Sequence, residues 1–470
     1  MGSRSDRGPT ARRMKMQIPT RSMRRGPLRA ILLLAACAAA VALGSWALRG
    51  DPEASLPVEG PGRAAIAAPG PDAPGTEGLL PPAERVAFWE MRVADGGVYL
   101  DQIHLADAYL DRARAAGDIA DLERADAALA RAATTTPDPT PVRVREALVA
   151  FALHDFKGAL ATATSVLQGD PQNLTAMTVV ADSHLELGDV DLAAEEYAEL
   201  ADAAPSPAAW SRLGRLAFLR GDLVAATTHV GDAAAEALTA GFPDEVAFYH
   251  VQLGDLHRAA GDAAAAEAAY GVALEALPEH PPAMAGLARV REAQGRRDEA
   301  IELLETATRR LPLPELVASL GDLYALRGDA ALADDQYALV EALAGLSADA
   351  SVYDRVYVLF AADHERDLDA AISAARDELT RRSDVHAHDA LAWALFAAGR
   401  LDEAGAAAAE ATKLGTADPR IAYHAGMIAL AQGRDAEARE LLETAVVGAM
   451  SLPPLQAQRA EAALASMDAP

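Results

Sequence analysis

The sequence predicts an all-α fold: an α-solenoid of about ten helix pairs, preceded by one membrane-spanning or signal helix. Three observations predict it. A pattern of glycines and small residues returns about every 34 residues from roughly position 103 to 453. Such a period marks a unit that buries its apolar face only against neighbouring copies of itself. Within each copy a glycine, an acidic residue and an alanine follow one another at near-constant spacing. Near the amino end, Ala30 to Leu48 carries no charge over 19 residues.

The clearest copy runs through Trp210, Leu213, Gly214, Gly221, Ala226, Ala233 and, after a longer tail, Pro243. The next reads Leu253, Gly254, Gly261, Ala266, Tyr270, Ala273 and Pro278. These spacings resemble the tetratricopeptide repeat. The resemblance implies antiparallel helix pairs stacked into a right-handed superhelix, whose inner wall is lined by the first helix of each pair.

The inter-helix turn sets the register. Its glycine falls at Gly117, Gly188, Gly221, Gly261, Gly295, Gly328, Gly399 and Gly433, with His154 and Arg366 replacing it in two weaker copies. Glycine suits the left-handed conformation in which the first helix must stop. Asp189, Asp222, Asp262, Asp298, Asp329 and Asp402 then stand where a carboxylate can cap the second helix. Five residues after the turn comes a small residue that lets the helices approach, at Ala159, Ala193, Ala226, Ala266, Ala300, Ala333, Ala371, Ala404 and Ala438. In the first pair it is Ala125. Closing prolines stand at Pro137, Pro171, Pro205, Pro278, Pro312, Pro419 and Pro453. The copies starting near 207 and 314 run to 40 and 38 residues, so they need longer second helices or loops. A helix over 83–94 and another over Leu455–Met467 should cap the two ends.

Charge divides the chain. Residues 1–29 carry nine basic side chains against Asp6 alone, while the remainder accounts for the whole of the −27 net charge and more. A helix over residues 30–48 would be about 28 Å long, near the apolar thickness of a bilayer. Arg24, Arg25 and Arg29 favour a cytoplasmic amino terminus, and Trp46 stands where an interfacial aromatic would lie. The repeats are then extracytoplasmic. Two other fates stay open: cleavage before Ser45, or lipidation of Cys37, the single cysteine, after the lipoprotein-like Leu34, Ala35 and Ala36. Residues 49–82 hold eight prolines and six glycines and read as a linker, leaving 83–470 as the repeat domain. With 39 arginines among 42 basic residues and abundant alanine, the chain reads as bacterial.

No phosphate-binding loop, dinucleotide fingerprint or nucleophile elbow accompanies the repeats, so the expectation is a non-enzyme without a cofactor. The acidity of the repeat region opposes nucleic-acid binding. His386 and His388 are the only metal candidates, and residues two apart do not share a helix face. The expected function is a membrane-tethered, extracytoplasmic scaffold that binds a protein or peptide and assists envelope protein assembly. A metal-binding or small-molecule accessory of a transporter, and a self-association module, are the alternatives.

The ninth position of successive copies gives the inner wall: Leu148, Asp182, Arg215, Asp255, Arg289, Asp322, Phe360, Trp393 and Met427. Its middle alternates in charge, which suits either partner contacts or a ladder of ion pairs. Trp393, Phe396, Tyr423 and Met427 read as an apolar ligand patch or as side chains buried under the final helix. The Lys, Asn and Arg set with which some tetratricopeptide domains clamp a terminal carboxylate is missing, since Val144, Leu148, Thr178 and Asp182 stand at the corresponding places.

Overall fold

The computed structural model describes residues 80–116, 119–346 and 354–468. The basic tail, the uncharged stretch with Cys37, nearly all of the linker, and Gly117 lie outside them. Among the described residues, no helix is long and apolar enough to cross a membrane.

Those residues form 22 α-helices and no strand. Helix α1 (Pro82–Ala94) opens the stack, followed by α2 (Tyr99–Ala116) with α3 (Ile119–Ala133), α4 (Thr140–Ala152) with α5 (Phe156–Gly169), and α6 (Leu174–Leu187) with α7 (Val190–Ala203). Next come α8 (Pro207–Leu219) with α9 (Leu223–Ala240), α10 (Pro243–Ala259) with α11 (Ala263–Ala276), and α12 (Pro281–Ala293) with α13 (Arg297–Arg310). The carboxy-terminal third holds α14 (Pro314–Arg327) with α15 (Ala330–Leu346), α16 (Asp354–Asp363) with α17 (Leu368–Arg381), and α18 (Val385–Ala397) with α19 (Leu401–Thr412). The last pair is α20 (Pro419–Ala431) with α21 (Asp435–Val447), and α22 (Pro454–Met467) closes the chain. The two long copies spend their extra residues as foreseen: α9 has 18 residues and α15 has 17.

Local chemistry explains the pairing. Gly188, Gly221, Gly261, Gly295, Gly328, Gly399 and Gly433 all have φ between 72° and 94°. His154 takes the same conformation at 61°. Arg366 does not: its neighbours Glu365 and Asp367 hold the positive φ values, because that turn reverses over three residues. The approach alanines are all buried, nine of the ten at 0% exposure and Ala333 at 2%. Alanine there lets backbones close in without leaving a void.

Capping is less uniform than the acidic pattern suggests. Asp222 and Asp262 accept from Ala225 and Ala265 N at 2.9 and 3.0 Å, but Asp189 makes no such bond. Asp298 and Asp402 sit two residues further along, in the first turns of α13 and α19, where they favour the helix dipole without capping it.

Candidate functional site

The solenoid curves until it meets itself. Three turns in the middle of the chain dock, in order, against three loops of the carboxy-terminal third. Glu186 at the end of α6 receives Arg382 at 3.1 Å and Ser383 N at 3.3 Å. The Phe218 carbonyl accepts from Ala417 N at 3.0 Å. Arg258 donates to the Met450 carbonyl at 2.7 Å, and Arg289 reaches the Leu452 carbonyl. First helices of the middle and carboxy-terminal repeats therefore face one another across a partly open interior.

That interior holds a cavity of about 440 Å³, lined by Phe218, Leu219, Leu256 and Leu359 together with charged side chains. Arg215, Arg258, Arg355, Arg382 and Arg420 line it, with Glu186, Asp255, Asp389 and Asp418 among them. The carboxylates are engaged. Glu186 takes Arg215 at 2.6 Å as well as Arg382. Asp255 accepts from Arg258 at 2.7 Å and from the Tyr270 hydroxyl at 2.6 Å. Asp389 faces His424 Nδ1 at 2.9 Å, and Asp418 accepts from Arg420 N at 2.8 Å.

The cations are less evenly matched. The nearest carboxylate to Arg355 belongs to Asp384, at 4.0 Å. Arg289 has only the Leu452 carbonyl and, at 3.3 Å, the Ser319 hydroxyl. Burial, reinforced by Arg258 and Arg420, pushes the Arg289 guanidinium down to about 9. Burial and then Arg382 lower Arg355 as well. Burial raises Glu315, although Arg420, Arg289 and Arg355 all oppose that shift. Glu186 is lowered: burial opposes its ionisation, but Arg215 and Arg382 overcome it.

The charged inner-wall residues fall into place without forming a ladder among themselves. Asp182 is buried between Arg212, at 3.0 Å, and the Tyr197 hydroxyl, at 2.7 Å. Asp322 accepts from the Tyr337 hydroxyl at 2.9 Å and lies 3.5 Å from His364 Nε2. Burial pushes Asp322 up to about 7 and His364 down to about 4. Arg215 and Asp255 face the cavity, and Arg289 stands beside it.

Trp393 and Tyr423 are not on a solvent-facing patch. They are 4% and 0% exposed, and pack in one cluster with Ala460, Leu464 and Met467 of α22. Phe396 and Met427 border the same cluster and are half-buried. The final helix covers this part of the wall because its own apolar face needs a partner. Gln456 of α22 pins it, donating to Asp363 at 2.6 Å and reaching His424 Nε2 at 3.0 Å. Trp393 Nε1 donates to the same Asp363 oxygen at 2.7 Å, and its ring stacks on His424 at 4.2 Å. The Gln456 amide on Nε2 leaves the His424 proton on Nδ1, aimed at Asp389.

His386 and His388 are separated by chemistry as well as by facing. His386 lies on the cavity wall 3.7 Å from Asp418, whereas His388 meets the Ser383 hydroxyl at 3.0 Å. Burial lowers both. Among the described residues, no group of three or more potential metal ligands forms.

Sequence reasoning missed Arg355, Arg382 and Arg420. Arg382 lies in a loop and Arg420 in a first turn, outside the inner-wall register. The sequence did carry a signal for the tyrosine partners of the inner-wall aspartates: Asp182 and Tyr197, Asp255 and Tyr270, and Asp322 and Tyr337 are each 15 residues apart, in alternate copies.

Stacked helical hairpins that share one inner wall define an α-solenoid. Two family models described as tetratricopeptide repeat match residues 150–216 with 257–323, and residues 390–453. No curated protein matches the chain. Similar solved structures include a tetratricopeptide repeat protein from Parabacteroides merdae, 18% identical over 52% of this chain and 93% of that one, with a TM-score of 0.38. PilW, a type IV pilus biogenesis factor, is 22% identical over 44% of this chain and 94% of its own, with a TM-score of 0.36. The human IFIT1 dimer with PPP-AAAA is 14% identical over 79% and 87%, with a TM-score of 0.40.

Proposed function

We propose that this protein is a tetratricopeptide-type interaction scaffold whose inner wall receives a protein or peptide partner. The observation that carries the reading is the inner wall itself: successive first helices bring Arg215, Asp255 and Arg289 to or beside one partly open, charged interior. Charged groups held at regular intervals give register and partner choice more than raw affinity. As a non-enzymatic scaffold, the protein acts by display.

Its placement is read from the sequence. The uncharged stretch over 30–48, after a basic tail, suits a single-pass tether with the repeats on the extracytoplasmic side, and assistance to envelope protein assembly is the activity proposed there. A photo-crosslinking residue placed at Asp255 in the full-length chain should capture in the cell the partner that one at Arg215 captures. The same residue at Val224, 80% exposed on α9, should not. Equal capture from Val224, or capture from Val224 alone, overturns the inner-wall reading.

A further inference from the structure

The seam cavity carries more positive charge than its own carboxylates engage. Glu186, Asp255, Asp389 and Asp418 each hold a close partner, as described above. Arg420 makes no ion pair with any described residue, Arg355 has none closer than 4.0 Å, and Arg289 rests on a carbonyl and a hydroxyl. Arg355 and Arg420 both line the cavity, and Arg289 stands beside it. Arg355 on α16 and Arg420 on α20 come from the carboxy-terminal side of the seam, and Arg289 on α12 comes from the side that faces it.

Guanidinium groups match the oxygens of a tetrahedral dianion in geometry as well as charge. Phe218, Leu219, Leu256 and Leu359 in the same lining offer apolar surface. The volume of about 440 Å³ lies within the range of small-molecule sites.

We propose that the seam cavity binds a small organic phosphate monoester, its phosphate on Arg355 and Arg420 with Arg289 adding to the field, and its apolar body against Phe218 and Leu359. This ligand shares the cavity with the partner-binding reading, and the two fail by different results.

The test is calorimetry on the full-length chain in detergent and phosphate-free buffer, with phenyl phosphate, inorganic phosphate and phenol as probes. Phenyl phosphate should bind, inorganic phosphate more weakly, and phenol not at all. Arg355→Gln and Arg420→Gln should each weaken phenyl phosphate by about tenfold, the size of one lost charge-assisted hydrogen bond. Arg310→Gln, which removes an exposed pair with Glu279, should leave binding unchanged. If a cavity variant does not fold, phenylglyoxal labelling of the unaltered chain replaces it: phenyl phosphate should protect Arg355 and Arg420 but not Arg310. Absence of heat, binding indifferent to both substitutions, or labelling indifferent to the ligand overturns the proposal. Inorganic phosphate binding as tightly as phenyl phosphate overturns the organic ligand.

Discussion

Seven turn glycines share one conformation, yet they fall into two regions with different demands. At Gly188, Gly221 and Gly261, an added Cβ would stand 2.8, 2.2 and 2.7 Å from the carbonyl oxygens of Ser383, Gly415 and Val447. At Gly295, Gly328, Gly399 and Gly433 it would meet nothing within 4 Å. All seven need glycine for backbone torsion, but only the first three also need it for space. The same residue at the same register thus serves the hairpin everywhere and the seam in one place.

The strongest way to break this comparison is at the charges of the seam. Arg382→Met leaves Glu186 without one partner and buried Glu378 without its ion pair, so it should cost about 3–5 kcal/mol. Arg310→Met, away from the seam and exposed, should cost under about 1 kcal/mol. Denaturant unfolding of both variants checks the gap; similar losses would mean that the seam is open in solution.

Asp322, off the seam, sharpens the contrast through pH. Its pKa in the fold, about 7, lies above that of the unfolded chain, so the folded state holds the extra proton. Its contribution to stability is therefore complete in acid and is lost as pH rises from about 4 to about 7. Asp322→Asn keeps an acceptor for Tyr337 and should gain on the order of 2–4 kcal/mol over the parent at pH 8 compared with pH 4. A gain that does not grow with pH contradicts the assignment.

A direct comparison of glycines comes next. Gly433→Ala should cost about 1 kcal/mol, the torsional penalty alone. Gly221→Ala should cost about 3 kcal/mol, because the Gly415 carbonyl must also retreat. Equal melting temperatures for the two variants would remove the seam contact. The smallest effect concerns caps: Asp222→Ala should cost about 1 kcal/mol and Asp189→Ala only a few tenths, since Asp189 caps nothing with its side chain.

These contrasts show what the sequence could disclose. Turn glycines, approach alanines and the longer helices α9 and α15 were legible, because each answers to neighbours within one repeat. The inner wall was half legible. Asp182 and Asp322 could be placed on it, but not their burial, since Tyr197 and Tyr337 reach them from the second helices. Trp393 and Tyr423 could not be told from a ligand patch until α22 was seen to lie over them. Arg382 and Arg420 were invisible as site residues, because their partners lie on the facing turn of the superhelix.

The docked turns and loops share nearly one offset: Glu186 with Arg382, Phe218 with Thr416 and Arg258 with Met450 are 196, 198 and 192 residues apart. Solenoids commonly gain or lose units at little cost, since each unit touches only its neighbours. Here an inserted or deleted hairpin between Arg258 and Arg382, the span common to all three pairs, would slide every docking pair out of step at once. The number of hairpins in that span is locked, as the number of staves is in a closed cask.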